Sequence, residues 1–353
     1  MSGRSPDCDV LVVGGGPVGL AAAVEARLAG LTATVLEARD GPVDKACGEG
    51  LMPGAVAALQ RLGVEPEGYP IAGIAYLAPG RSAVARFGGA AGLGVRRLEL
   101  WRALAARADA LGVERHRVRV TDVEVEAGGV RVGGTSARWL LAADGLRSPL
   151  RHRLGLDRPA RGTARYGLRR HHALAPWSDL VEVHWAAGAE AYVTPVGPDR
   201  VGVAVLGGAG GGFEERLAAF PALRERLAGA PAASEVLGAG PLRQVATARV
   251  AGPVLLVGDA GGYVDALTGE GVSTGLATAR AAVAAVVAGR PERYERDWHR
   301  VTRRYRLLTA GVLAAANHDR SRRLVVPAAE RFPGLFRTVV DALADGRRWE
   351  PAG

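Results

Sequence analysis

The stretch Val10–Val24, VLVVGGGPVGLAAAV, sets the first constraint on the fold. Three consecutive glycines weaken any helix or strand running through them by roughly 1 kcal/mol each relative to alanine, so they mark a turn. The spacing predicts a strand over Asp9–Val13 before the turn and a helix from Pro17 to Leu28 after it, ended by Gly30. A β-branched run, Thr32–Leu36, follows and closes on Glu37. This is a βαβ unit in which Gly14, Gly16 and Gly19 form G-x-G-x-x-G. The first glycine of that pattern permits the tight turn, the second lets a pyrophosphate approach the backbone, and the third lets helix pack closely on strand. Helix amides and dipole would receive the negative charge, and Glu37 would accept hydrogen bonds from a ribose.

Farther along, "RLELWRALAARADAL" (Arg97–Leu111) has the spacing of an amphipathic helix ended by Gly112. Strands are expected at Val118–Val125 and Val130–Val132, before a turn at Asp144. Between Tyr166 and Leu206 the alternation of "LVEVHW", "AYVTPV" and "RVGVAVL" predicts an antiparallel sheet layer. A helix over Phe213–Leu227, an apolar strand in "PVLLVGDA", a helix from Gly271 to about Val287 and an arginine-rich helical last sixty residues complete the expectation. No repeat or linker separates these pieces, so interleaved layers are expected.

Lys+Arg 45 against Asp+Glu 36 gives a net charge of +9. The arginines are spread through the chain, aromatics make up 5%, and no nucleic-acid module is recognisable, so nucleic acid is not an expected partner. Only two cysteines occur, Cys8 and Cys47, which points to a reducing, cytoplasmic setting. No apolar run reaches the ~18 to 20 residues of a membrane span, and no metal site is expected.

Two further segments favour FAD over a nicotinamide cofactor in the glycine turn. "LLAADGLRSPLR" (Leu140–Arg151) and "VLLVGDAGGYVDALTGEGVSTGLATA" (Val254–Ala279) resemble the second and third fingerprints of flavoproteins of the para-hydroxybenzoate hydroxylase fold, a superfamily that includes class A flavoprotein monooxygenases and geranylgeranyl reductases. "VRRLELWRAL" resembles the superfamily's arginine-led helix, with Arg97 where the cofactor is contacted. The resemblance spans roughly Asp9 to Val287. It implies an α/β fold in which a Rossmann-like FAD-binding βαβ domain interleaves with an antiparallel-sheet substrate domain and ends in a helical C-terminus. The expected pieces are 1–80 and 81–155 for FAD, 156–245 for the substrate sheet, 246–290 for FAD again and 291–353 for the C-terminal helices.

Cofactor contacts are implied at Gly14, Gly16, Pro17, Gly19, Glu37, Ala38, Lys45, Arg97, Asp144, Gly258, Asp259, Gly269, Gly271 and Val272. Asp259 would bond the ribityl chain, and the helix opened by Gly269–Gly271 would face the flavin's pyrimidine edge; Asp259 as a helix cap and Asp144 as a plain turn residue are the competing readings. Asp144 and Arg151 would shape the wall along which cofactor and nicotinamide pass. "DKACGEGLMP" (Asp44–Pro53) resembles the loop of geranylgeranyl reductases that brings a cysteine near the flavin, and after Asp259 the "GEG" at Gly269–Gly271 stands where hydroxylases carry Gly-Gln-Gly.

The resemblance implies an FAD-dependent oxidoreductase consuming NAD(P)H. The first expectation is a monooxygenase hydroxylating a small aromatic or polyketide-type substrate; the alternatives are an ene-reductase of isoprenoid or polyene double bonds and a non-redox flavoprotein. Cys47, Tyr192 and His184 are the catalytic candidates, with Arg169 and Tyr263 beside them. The expected partner is a small phenolic, polyketide or isoprenoid molecule. The protein would act as monomer or homodimer, and the basic segment Arg303–Val326 would either touch a membrane peripherally or pack on the FAD domain.

Overall fold

In the computed structural model, which describes residues 6–126, 128–316 and 319–344, the strand Cys8–Val13 lies at the centre of a parallel sheet. Its neighbours are Ala33–Glu37 on one side and Thr135–Ala142 on the other, both parallel to it. Val254–Leu256 extends the sheet beyond Thr135–Ala142, and Glu114–Arg117 extends it beyond Ala33–Glu37. Three distant stretches of chain thus build one sheet. Its central strands read as continuous apolar runs because both faces are covered. The helix Pro17–Leu28 packs on one face with Arg97–Ala110 and Gly271–Val287, through Leu20, Val24, Leu104, Ala282 and Val286.

A second sheet of seven strands carries Tyr166–Ala173, Leu180–Ala186, Ala189–Gly197 and Arg200–Gly207 as antiparallel neighbours, as the alternation predicts. The hairpin Gly73–Ala78 and Arg81–Arg86 joins it by pairing parallel with Leu180–Ala186, so it straddles the boundary drawn at residue 80. A small sheet of Gly50–Leu51, Gly92–Gly94 and Tyr69–Ile71 rests on the larger one. At Gly94 a Cβ would come within 1.7 Å of the Pro195 carbonyl oxygen, so a side chain there would force the two apart.

Two expectations are corrected. Of Val118–Val125 only Glu124 and Val125 are strand, within Glu124–Glu126; Val118, Val120 and Val123 alternate because they pack against the sheet's core, not because they pair. The strand in this region is Glu114–Arg117, an exposed polar edge with no apolar signature to betray it. The helix expected over Phe213–Leu227 is split into Phe213–Leu217 and Pro221–Arg226, since Pro221 has no N–H to continue the ladder.

Helices Arg293–Ala316, Asp319–Arg331 and Pro333–Ala344 form the last layer; residues 345–353 of the expected C-terminal piece lie outside the described residues. The layer is joined to the large sheet by a buried charge cluster. Arg165 donates to Glu190 at 2.6 Å and to Asp265 at 3.0 Å, and Arg322 lies 3.4 Å from the other Glu190 oxygen.

The glycine turn makes the tightest helix–strand approach. A Cβ on Gly19 would lie 1.8 Å from the Gly14 carbonyl oxygen. Gly19→Ala should therefore destabilise the protein by about 1–3 kcal/mol through overpacking. An unchanged thermal midpoint for that variant would show that helix and strand have room to part.

Candidate cofactor and substrate site

The two sheets face each other across a cleft whose space, its open mouth included, amounts to about 1950 Å³. On the parallel-sheet side it is lined by Gly14, Gly16, Pro17, Glu37, Arg97, Asp144 and Asp259. The loop after the second strand contributes Lys45 and Cys47, and the start of the Gly271–Val287 helix contributes Gly269, Gly271 and Val272. Four residues expected at the site do not line it. Gly19 packs helix on strand, and Ala38 stands outside. Gly258, at φ +60°, donates its N–H to Thr278 and packs on Val18. His184 is the fourth.

Strand geometry explains His184. Successive side chains alternate between faces, and Val181 and Val183 line the cleft, so Glu182 and His184 point to the other side. There His184 Nε2 meets Glu182 Oε2 at 3.1 Å, and Trp177 donates to the second Glu182 oxygen at 2.8 Å. Its expected catalytic place is corrected on that ground. Tyr192 does line the cleft, but its hydroxyl donates to the Leu267 carbonyl at 2.7 Å, and burial holds it well above the usual tyrosine range.

The glycine turn is held open by its neighbours. Gly15 donates its N–H to Glu37 Oε2 at 2.9 Å, and Trp101 donates to the Gly15 carbonyl at 2.7 Å. Burial opposes ionisation of Glu37, but hydrogen bonds from Arg39 and Gly15 outweigh it and hold the carboxyl below its ordinary range. A Cβ on Gly16 would meet only Arg97 Nη2, at 3.8 Å, so the turn opens onto the cleft at that point. The Arg97 Nε is buried with no hydrogen-bond partner among the described residues. Lys45 approaches Gly145 on the same wall, and its ammonium is held below the usual lysine range by burial and by Arg97 and Arg39.

An orphaned guanidinium donor, a desolvated ammonium and open turn amides together fit an anionic diphosphate. Asp259 stands on the same side, its carboxyl pushed up by burial against the opposing pull of Arg97, Lys45 and Arg151. The residues present therefore suit FAD: the turn, Arg97 and Lys45 would take the diphosphate, Glu37 the adenosine ribose and Asp259 the ribityl hydroxyls.

Asp144 and Arg151 hold the wall together. Asp144 Oδ2 accepts the Leu150 N–H at 3.0 Å, and its Oδ1 is buried with no hydrogen-bond partner among the described residues. Arg151 donates to the Ala260 carbonyl at 3.0 Å and to Gln244 at 2.8 Å, tying the Asp-Gly turn to the segment that carries Asp259.

The sequence reading passed over Glu49. It is buried, takes φ +59°, and joins three elements. One carboxylate oxygen accepts the Arg97 N–H at 2.9 Å; the other lies 2.6 Å from His171 Nε2 on the large sheet. Its own N–H reaches the Cys47 sulfur at 3.4 Å. Arg169 completes the cluster, donating to Asp44 at 2.6 Å and to the Lys45 carbonyl at 3.2 Å. The only local signal was an acidic residue between two glycines; its partners are 48 and 122 residues away.

Glu270, immediately before the Gly271–Val287 helix, is 2% exposed, and burial, only partly opposed by the Thr268 hydroxyl and Arg304, pushes its carboxyl up to about 8. The native state then binds a proton that the unfolded chain releases above about 4.5. Its contribution to stability is fully present below that value and is lost as pH rises towards 8. Glu270→Gln should gain thermal stability relative to the parent between pH 5 and pH 8, with no further gain above. A difference independent of pH would contradict a buried neutral acid.

Comparison with known proteins gives the family and the fold. Residues 7–292 match the FAD-binding domain family. Menaquinone reductase of Mycobacterium tuberculosis is 32% identical over 318 residues, covering 78% of this chain and 75% of that protein. Menaquinone reductase of Mycolicibacterium smegmatis is 59% identical, but over 56 residues that make up 16% of this chain and 14% of that one. Dialkyldecalin synthase of Streptomyces rugosporus is 30% identical over 299 residues, 76% of this chain and 62% of that protein. Among solved structures, a triple mutant of the flavin-dependent brominase Bmp2 superposes with a TM-score of 0.82 at 17% identity, over 98% of this chain and 96% of that one. With the glycine turn, its two cations and the Asp259 segment arranged around one cleft, the chain belongs to the FAD-binding domain family, within the flavoproteins of the para-hydroxybenzoate hydroxylase fold.

Proposed function

We propose that this protein is a cytoplasmic, FAD-dependent reductase of carbon–carbon double bonds in a long apolar substrate of isoprenoid or polyene type, with NAD(P)H as the source of electrons. The observation that carries this reading is the far wall of the cleft. Met52, Ile74, Val183, Leu206, Leu242 and Leu267 present an apolar surface there, and the Cys47 thiol lies on the same cleft. Such a wall desolvates an apolar chain at a gain of about 25 cal/mol per Å² and offers a charged or phenolate oxygen nothing.

Hydroxylation of a phenol calls for a base or a cation beside the ring. His184 lies on the opposite face of its strand, the Tyr192 hydroxyl is bonded to Leu267, and Arg169 is bonded to Asp44. His184 and Tyr192 are therefore not available to such a substrate, while Arg169 lines the cleft with its guanidinium engaged by Asp44 and its Nε without a partner among the described residues. This weighs against the monooxygenase expected first.

Bound FAD, once reduced, supplies a hydride to one carbon of the double bond; the chain must supply a proton to the other. Cys47 suits that role, because burial, opposed only in part by Arg97, pushes its thiol up and keeps the proton on sulfur. Glu49 fixes the sulfur through its backbone N–H. Apolar walls keep water from competing for the site. The names of the two menaquinone reductases support an isoprenoid-bearing substrate.

Cys47→Ala should lower turnover by about 10²-fold or more, the ordinary worth of a positioned acid, while reduction of the flavin by NAD(P)H proceeds at the parental rate. Product mass decides the class, tested anaerobically and in air with a polyprenyl quinone or polyene. A gain of two hydrogens supports reduction. A gain of one oxygen would establish hydroxylation instead, and an isomer of unchanged mass would establish a cyclisation, the kind of reaction the dialkyldecalin synthase relative brings to mind.

A further inference from the structure

In the basic segment Arg303–Val326, Leu313, Ala316 and Val326 are buried in the core beneath the large sheet, whereas Leu307 and Leu324 are exposed. The outer face of the layer is different. Phe332 joins the last two helices: its N–H donates to the Ala328 carbonyl at the end of one, and its carbonyl accepts the Phe336 N–H at the start of the next. Leu324 and Ala328 lie one turn apart on the helix Asp319–Arg331, Phe332 follows at its C-terminal end, and Leu335 stands in the first turn of the helix Pro333–Ala344. Leu324 is 63%, Phe332 57% and Leu335 65% exposed, three large apolar side chains left in water along the last two helices. Exposed arginines flank them: Arg323, Arg331, whose guanidinium lies 5.6 Å from the Phe332 ring centre, and Arg337. The opposite face of the same turns, Val326, Ala329, Phe336 and Val340, is core, and Leu343 of the last helix lines the cleft.

We infer that this outer face, Leu324 to Leu335, docks the protein on the surface of an anionic lipid bilayer. Apolar side chains rimmed by arginine match the boundary between acyl chains and acidic headgroups, where leucine and phenylalanine are buried and guanidinium groups meet phosphate. The net charge of +9 adds attraction at a distance. A second copy of the chain is a poorer occupant, because a self-complementary contact would bring like-charged arginine rims together. Among the described residues no helix is long and apolar enough to cross a membrane, so the contact lies in the plane of the interface. The inference rests on the proposed apolar substrate for its purpose: the helical layer that docks is the one whose Leu343 lines the cleft.

The test is sedimentation of the full-length, FAD-loaded protein with vesicles of phosphatidylcholine, alone or mixed with phosphatidylglycerol. The parent should pellet with the mixed vesicles and be released by salt, and Arg323→Gln with Arg331→Gln should weaken the preference for anionic lipid. Leu324→Ser, Phe332→Ser and Leu335→Ser combined should lower partitioning by at least about tenfold, with the flavin spectrum and thermal midpoint kept. Parental protein left in the supernatant, or a triple variant that pellets like the parent, would overturn the inference. So would a parental dimer that the triple variant loses in the absence of vesicle binding, which would give the face to a second copy. Reduction of a detergent-dispersed substrate, measured on the same samples, separates failure of docking from failure of the proposed reaction.

Discussion

An anion receptor made of backbone and two cations organises this molecule. Gly14 at φ +106° and Gly16 with its open face bring main-chain amides to the edge of the cleft, where no side chain stands in the way. Arg97 and Lys45 lie against the same wall, one with a buried donor that no group among the described residues satisfies, the other desolvated. Left alone, such groups cost free energy, since a buried donor without a partner forfeits its hydration. A diphosphate would satisfy them all at once. Binding of a diphosphate there would also stabilise this corner, and the close packing of Gly19 on Gly14 holds the turn in place.

Glu49 connects that corner to the chemistry. Its carboxylate holds the first amide of the Arg97 helix and the His171 imidazole of the large sheet, and its amide holds the Cys47 sulfur. The cation that would meet the cofactor and the thiol that would meet the substrate are thus positioned by one residue in a left-handed conformation that L residues adopt at a cost of order 1–3 kcal/mol. Such strain persists where surroundings over-determine it, and Arg169, Asp44 and the Thr194 bond to the Gly48 carbonyl supply those surroundings.

Legibility of the fold in the sequence followed locality. The helices Pro17–Leu28 and Gly271–Val287 were readable to the residue, because proline or glycine opens each and apolar spacing sustains it. Three of the four antiparallel strands between Tyr166 and Gly207 announced themselves by alternation, while Tyr166–Ala173 was marked only by the sheet layer expected from Tyr166 onward. What escaped was pairing over distance and choice of face. The Gly73–Ala78 strand pairs parallel with Leu180–Ala186, more than a hundred residues on, with nothing local to mark the partner. His184 alternates correctly for a strand, yet which face meets the cleft depends on the sheet's packing. Glu49 is a hub only through contacts that the fold creates. The glycine motifs were informative for the opposite reason: the backbone itself makes the site, so its requirements are written in the residues that form it.

Titration of flavin-free protein with FAD, followed by flavin fluorescence, tests the receptor most directly. Saturable binding at one FAD per chain is predicted, yielding yellow protein, with Arg97→Ala weakening the affinity by about 10- to 100-fold, the worth of a lost charge-assisted hydrogen bond. A protein that takes up no flavin, or an Arg97→Ala variant that binds as tightly as its parent, would contradict the placement of the diphosphate at the glycine turn.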